Sequence, residues 1–183
     1  MRRRAGGSNP SVQPLWRARA RGLPVPRVPV GFGGVRIGAG RIAMPRGMEL
    51  TLNGLAQGFI TDRIVDLLRA GGAEHTLVDM GEIRALGGPW RVALGEERVD
   101  LTDRAMATTE AGGFRFPDGT PHLIDPMTGA ARASWPRLAV IAPEAGLADA
   151  LSTGLSLADA DTIRATLAAL PGVQVLTPDR RFG

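Results

Sequence analysis

The sequence predicts an α+β fold, with mixed or antiparallel sheets and packed helices. Two observations carry this. The chain has 183 residues, 44% of them hydrophobic, at a mean hydropathy of +0.01, which is enough apolar side chain for one globular core. Its short strand-like runs and its helical runs also follow one another without strict strand–helix–strand alternation, which argues against a parallel sheet.

The elements are read in order. Residues 1–30 are rich in Arg, Pro and Gly around one apolar island, "VQPLW", and are expected as loop or extended chain. "VRI" at 35–37 and "RIAM" at 41–44, split by "GAG", predict a short hairpin. "MELTL" at 48–52 alternates and reads as a strand. From Asn53 the period changes. Leu55, Phe59, Ile64, Val65 and Leu68 recur at helical spacing, and Gly71–Gly72 supply a stop. "HTLVDM" at 75–80 is a buried-strand candidate, and "IRAL", "WRVAL" and "RVDL" continue as short strands. "RAMATT" at 104–109 and "PHLIDP" at 121–126 bracket a Gly-rich hairpin, and "RLAVIA" at 137–142 is a further strand. "PEAGLADALSTGLSLAD" predicts a helix with Pro143 in its first turn. "ADTIRATLAAL" predicts a second, closed by Pro171–Gly172, and "VQVLT" a last strand.

Composition excludes several functions. There is no Cys, so there are no disulfides and no thiolate metal sites. All 22 basic residues are Arg. Ten of them stand in residues 1–48 with no acid, whereas residues 49–183 hold twelve Arg against eighteen acids. The chain therefore divides into a basic, partly irregular region, 1–47, and a mildly acidic body, 48–183. The arm lacks interleaved aromatics in its first dozen residues, so no nucleic-acid partner is expected. No apolar run approaches the ~18 residues of a membrane span. "MRRRAGGSNP" is followed by no apolar segment of signal-peptide length, so the residues as written carry no export signal.

Three stretches carry chemistry. In "GLADALSTGLSLAD", Asp149 and Thr153 stand at i and i+4 and so project from one helix face. The ordinary reading has Thr153 bonded back to a carbonyl and Asp149 solvated. The chemical reading is a hard-cation site, because Mg²⁺ takes oxygen ligands and keeps several waters. "TLNGLAQGF", Thr51 to Phe59, reads as strand, turn and helix start, where free N–H groups could meet a phosphate and Gly54 and Gly58 allow close approach. "PHLIDPMTG" places His122 before an Asp-Pro turn, as a structural side chain or as a proton acceptor.

Together these stretches resemble the ApbE family of FAD:protein FMN transferases. The family shows D-L-G-G-I-A-K-G-Y, then N-L-G-G-D-I-R-A-L-G, A-T-S-G, H-I-I-D-P-x-T-G and V-x-A-P-x-x-x-x-A-D-A-L-A-T-A. The chain offers Thr51–Phe59, Asp79–Gly87, Ala107–Thr109, His122–Gly129, and Val140–Pro143 with Ala148–Thr153, in that order. "SNPSVQPLW" is similar to the family's upstream F-D-P-T-V-G-P-L. The resemblance implies the family's flavin-transferase fold without its N-terminal part. It implies Mg²⁺-dependent transfer of FMN from FAD to a Thr or Ser hydroxyl of an acceptor flavoprotein, with release of AMP. A non-catalytic flavin-binding relative and an FAD pyrophosphate hydrolase stay open.

Carried over by position, Gly54, Asp149 and Thr153 are the expected metal ligands. Thr51, Gln57, His122, Ile124 and Asn9 are the expected flavin-nucleotide contacts, and His122 and Asp149 the expected catalytic residues. Thr51 stands where the family commonly has an acid. "TLNGLAQG" is similar to a subgroup linked to nitrous oxide reductase maturation, which implies a membrane-bound redox protein as acceptor. The resemblance also implies a periplasmic or membrane-associated setting, against the cytoplasmic one expected if residue 1 is the true start.

Overall fold

The computed structural model describes residues 10–183. In chain order the elements are α1 (Gln13–Ala20), β1 (Arg36–Gly38), β2 (Arg41–Ala43), α2 (Ala56–Ala70), β3 (Thr76–Asp79), β4 (Ile83–Leu86), β5 (Trp90–Leu94), β6 (Glu97–Leu101), β7 (Ala105–Glu110), β8 (Arg137–Ala142), α3 (Ala145–Leu155), α4 (Ala160–Leu167), β9 (Gln174–Thr177) and β10 (Arg180–Phe182). Six strands form one sheet in the order β10-β9-β8-β7-β4-β3, with every neighbouring pair antiparallel. β1–β2 and β5–β6 are separate antiparallel hairpins. The α+β expectation holds.

Strand β8 shows why the sheet sits where it does. It is apolar at five consecutive positions because both of its faces are covered. Leu138, Val140 and Ala142 join a core with Ala148 and Leu155 of α3 and Ile163 of α4. Ala139 and Ile141, one residue out of phase, join Val92, Leu94, Val99 and Leu101 of the β5–β6 hairpin on the opposite face.

Helix α3 carries the site, and a neighbouring helix fixes its start. Its N-cap residue, Glu144, makes no side-chain cap. Instead Asp62 of α2 accepts from the Ala145 and Gly146 N–H groups, 2.8 Å each, and from Arg84 at 2.8 Å. A carboxylate here satisfies otherwise orphaned donors and suits the helix dipole. Pro143 thus lies ahead of the cap and not in the first turn.

Other expectations need correction. Residues 48–52 form no strand. Met48 is buried, and Leu52 already bonds forward, its carbonyl accepting from the Ala56 N–H at 2.8 Å. A segment with no strand alongside cannot use its alternation. Residues 121–126 contribute only isolated bridges, Arg115 with Pro121 and Ile124 with Ala131. Residues 13–20, expected as irregular, are helical. Leu15 and Ala18 of α1 are buried, and Val12 and Leu15 share a small core with Phe116 and Ile124. On α2 the buried positions are Gly58, Thr61 and Val65, whereas Leu55, Phe59 and Leu68 are exposed. The helix packs through its smallest residues because it meets the backbone of α3 directly. A Cβ on Gly58 would stand 2.2 Å from the Ala145 carbonyl oxygen.

Candidate functional site

A cavity of about 450 Å³ opens between α1, the start of α2, α3 and strand β7. Its lining includes the polar Asn53, Gln57, Glu82, Asp149 and Thr153 with Gly54, and the apolar and aromatic Val12, Trp16, Phe114, Leu123 and Ile124 with the His122 ring. The site residues expected from the sequence within residues 10–183 are Thr51, Gly54, Gln57, His122, Ile124, Asp149 and Thr153, and all of them line this one cavity. Asn9 lies outside the described residues.

Asp149 is only 4% exposed, so the reading of a solvated acid is overturned. Its Oδ2 accepts from the Gly58 N–H at 3.1 Å. Burial raises its pKa, against the opposing pull of that bond. The same bond corrects the idea of a free phosphate-binding helix start. The donors of Ala56 and Gly58 are already taken, by Leu52 and by Asp149. The α3 hydroxyls that bond back to helix carbonyls are those of Ser152, 3.1 Å from the Asp149 carbonyl oxygen, and Ser156, 2.6 Å from that of Ser152. Thr153 instead stands against the turn before α2. A Cβ placed on Gly54 would lie 3.1 Å from the Thr153 Oγ1, so glycine keeps open the space between that turn and the hydroxyl.

Gly54, Asp149 and Thr153 all line the cavity, and the groups they could offer a cation are oxygens, which suit a hard ion such as Mg²⁺ better than zinc. Among the described residues no group of three or more His, Asp or Glu side chains gathers as a metal site.

The remaining expected residues have distinct settings. Gln57 donates from Nε2 to the Met80 carbonyl at 3.0 Å, tying α2 to the turn between β3 and β4. The Thr51 Oγ1 accepts from the Asn53 N–H at 3.3 Å, shaping the loop before Gly54. Nδ1 of His122 lies 3.2 Å from the Phe114 carbonyl oxygen, and its ring meets the Phe114 ring edge-on at 6.3 Å. Ile124 is 3% exposed and packs with α1. The neighbouring Asp125 holds the turn. Burial raises its pKa, but the Met127 N–H (2.8 Å) and Arg132 (2.8 Å) outweigh this and keep it low.

Sequence reasoning missed two parts of the site. Trp16 stacks on Phe114, with centroids 5.6 Å apart and planes at 26°, and meets Phe116 edge-on. Tryptophan, rare in this chain, was the available signal. Glu82 is the other omission. It is 7% exposed, and its pKa is pushed up to about 8 by burial first, then by the charges of Asp149 and Asp79, against an opposing Thr108 N–H bond. A glutamate beside a Gly turn reads as solvated, and its burial follows from the pairing of β4 with β7.

The profile of the ApbE family matches residues 4–177. A FAD:protein FMN transferase of Treponema pallidum (strain Nichols) is 31% identical across 81% of this chain and 49% of the relative. One of Haemophilus influenzae is 33% identical across 62% of this chain and 38% of its own. The chain thus spans about half the length or less of these curated relatives. Among solved structures, the ApbE protein of Thermotoga maritima superposes with a TM-score of 0.78 at 22% identity, over 92% of this chain and 66% of that one. The apo flavinyl transferase ApbE of Pseudomonas stutzeri gives 0.74 at 22%, over 95% and 64%. Fold and sequence profile agree over nearly the whole length, and the chain belongs to the ApbE family.

Proposed function

We propose that this chain transfers FMN from FAD to a Thr or Ser hydroxyl of an acceptor flavoprotein, a membrane-bound redox protein, and releases AMP. The observation that carries the reading is the mixed lining of one cavity, which brings oxygen-bearing side chains together with a stacked aromatic pair. A flavin dinucleotide has the same two chemistries, a flat apolar ring and a charged diphosphate. The relatives named FAD:protein FMN transferase support the same assignment.

In this reading Asp149, Thr153 and the Gly54 carbonyl hold Mg²⁺. The ion would neutralise diphosphate charge and stabilise the departing phosphate. Thr51 and Gln57 border the nucleotide, and His122 and Ile124 border the flavin ring. The acceptor hydroxyl oxygen bonds to the FMN-side phosphorus, the bridging P–O bond breaks, and AMP leaves with the bridging oxygen. His122 takes the hydroxyl proton, with its ring held in place by the Phe114 carbonyl and ring edge.

The test is incubation with FAD, Mg²⁺ and a Thr-containing acceptor. Flavin covalently bound to the acceptor, with one AMP released per flavin, is expected. AMP without labelled acceptor indicates the hydrolase. Tight FAD binding with no AMP indicates a non-catalytic relative.

A further inference from the structure

We propose that Glu82 supplies the second negative charge of the cation site, with its Oε2 turned toward the ion's hydration shell. The inference rests on the cation site of the proposed function and extends it to a residue outside the Asp149, Thr153 and Gly54 set.

The first argument is an unmet hydrogen-bonding demand. Glu82 lines the same cavity as Gly54, Asp149 and Thr153, yet only 7% of it is exposed. A Thr108 N–H bonds its carboxyl group, while Oε2 is buried and has no hydrogen-bond partner in the chain. Leaving such an atom unmatched is costly, and more so when it is charged. A ligand in the cavity is the group that can match it.

The second argument is the sign of the surroundings. The side-chain charges acting on Glu82 are those of Asp149 and Asp79, both negative, and they add to the effect of burial in raising its pKa to about 8. Two ionised acids facing one cavity repel each other, and a cation between them relieves that repulsion. Asp149 alone contributes one negative charge, and a hydroxyl and a carbonyl contribute none. Glu82 brings the donor set to the charge of a divalent ion.

The third argument is rigidity. The turn that presents Glu82 is closed by a Met80 N–H bond to the Glu82 carbonyl at 3.2 Å, and it is held from α2 by Gln57 on the Met80 carbonyl at 3.0 Å. Gly81 within it has φ +95°, and a Cβ there would meet the Gln57 Nε2 at 2.5 Å. The hydroxyl of the buried Thr61 approaches the Glu82 carbonyl at 3.5 Å. Glu82 is a positioning residue in this role, acting through the ion and its water.

The experiment measures Mn²⁺ affinity by EPR of the free ion, without flavin, on wild type, Glu82→Gln and Glu82→Asp. It is paired with melting temperature. The amide of Glu82→Gln keeps the size of the side chain and an oxygen for the Thr108 N–H. The expected result is one Mn²⁺ per wild-type chain and at least tenfold weaker binding by Glu82→Gln. Melting temperature should not fall, and Glu82→Asp should bind more tightly than Glu82→Gln. Equal Mn²⁺ affinity in wild type and Glu82→Gln, or no gain from Glu82→Asp, overturns the role of Glu82 alone. No Mn²⁺ binding by wild type overturns both this inference and the cation site beneath it.

Discussion

The Asp149 carboxylate on α3 accepts a hydrogen bond from the main-chain N–H of Gly58 on α2, 3.1 Å away. One side chain therefore both joins two helices and faces the cavity, so stability and the proposed ion binding meet at this acid. Changes that keep the oxygen but remove the charge separate the two.

Asp149→Asn retains an acceptor for the Gly58 N–H. Its melting temperature should stay near wild type while Mg²⁺ affinity falls at least tenfold. Asp149→Ala leaves that buried N–H unmatched and should cost about 1–3 kcal/mol of stability as well. Calorimetry with and without Mg²⁺ checks both. Undiminished Mg²⁺ binding by Asp149→Asn contradicts the site.

Gly58→Ala tests the helix contact itself. The added Cβ would meet the Ala145 carbonyl carbon and oxygen at 2.5 and 2.2 Å, both backbone atoms that cannot swing aside. The two helices must move apart, at a cost of about 3 kcal/mol. Urea denaturation measures it, and wild-type stability in this variant would show that α2 and α3 do not meet as described.

Stability should depend on pH through Glu82. Its pKa is pushed up to about 8 in the folded chain from an ordinary 4.5, by burial and then by Asp149. Between those values the folded chain holds a proton that the unfolded chain has lost. This contribution is fully present below about 4.5 and is lost as pH rises through about 8, with a slope of at most ~1.4 kcal/mol per pH unit. Asp149, also raised by burial, acts in the same direction. Melting temperature of the metal-free protein should fall from pH 5.5 to pH 8.5 more steeply for wild type than for Glu82→Gln. Parallel curves would contradict the assignment.

His122→Ala removes the proposed proton acceptor beside the Phe114 ring. Flavin transfer should fall by about 10²-fold or more, with FAD affinity changed only a few-fold. Stopped-time acceptor labelling and flavin fluorescence give the two numbers. Unchanged transfer would leave His122 a packing residue against Phe114.

Local pattern made much of this legible. The i, i+4 spacing put Asp149 and Thr153 on one face, and both reach the cavity. The apolar run of β8, the hairpin β1–β2 and the Gly71–Gly72 stop of α2 were equally readable. What sequence hid depends on distant partners. Helix α1 is eight residues long, with a proline near its start, and gains its place by burying Leu15 against Phe116 and Ile124, about a hundred residues away. β10 exists because β9 offers it an edge. The apolar spacing of α2 marks a helix but not its buried face, because contact with the α3 backbone selects Gly58 and Thr61 over Phe59. Glu82 carries no local signal of its burial, since the strand paired beyond it and not local pattern encloses it.

Anomalous scattering from crystals grown with Mn²⁺ and FAD addresses the cation site most directly. A single strong peak bounded by the Asp149 carboxylate, the Thr153 hydroxyl and the Gly54 carbonyl, beside the diphosphate, is predicted. Bound FAD with no peak there, or a peak held by other residues, would contradict it.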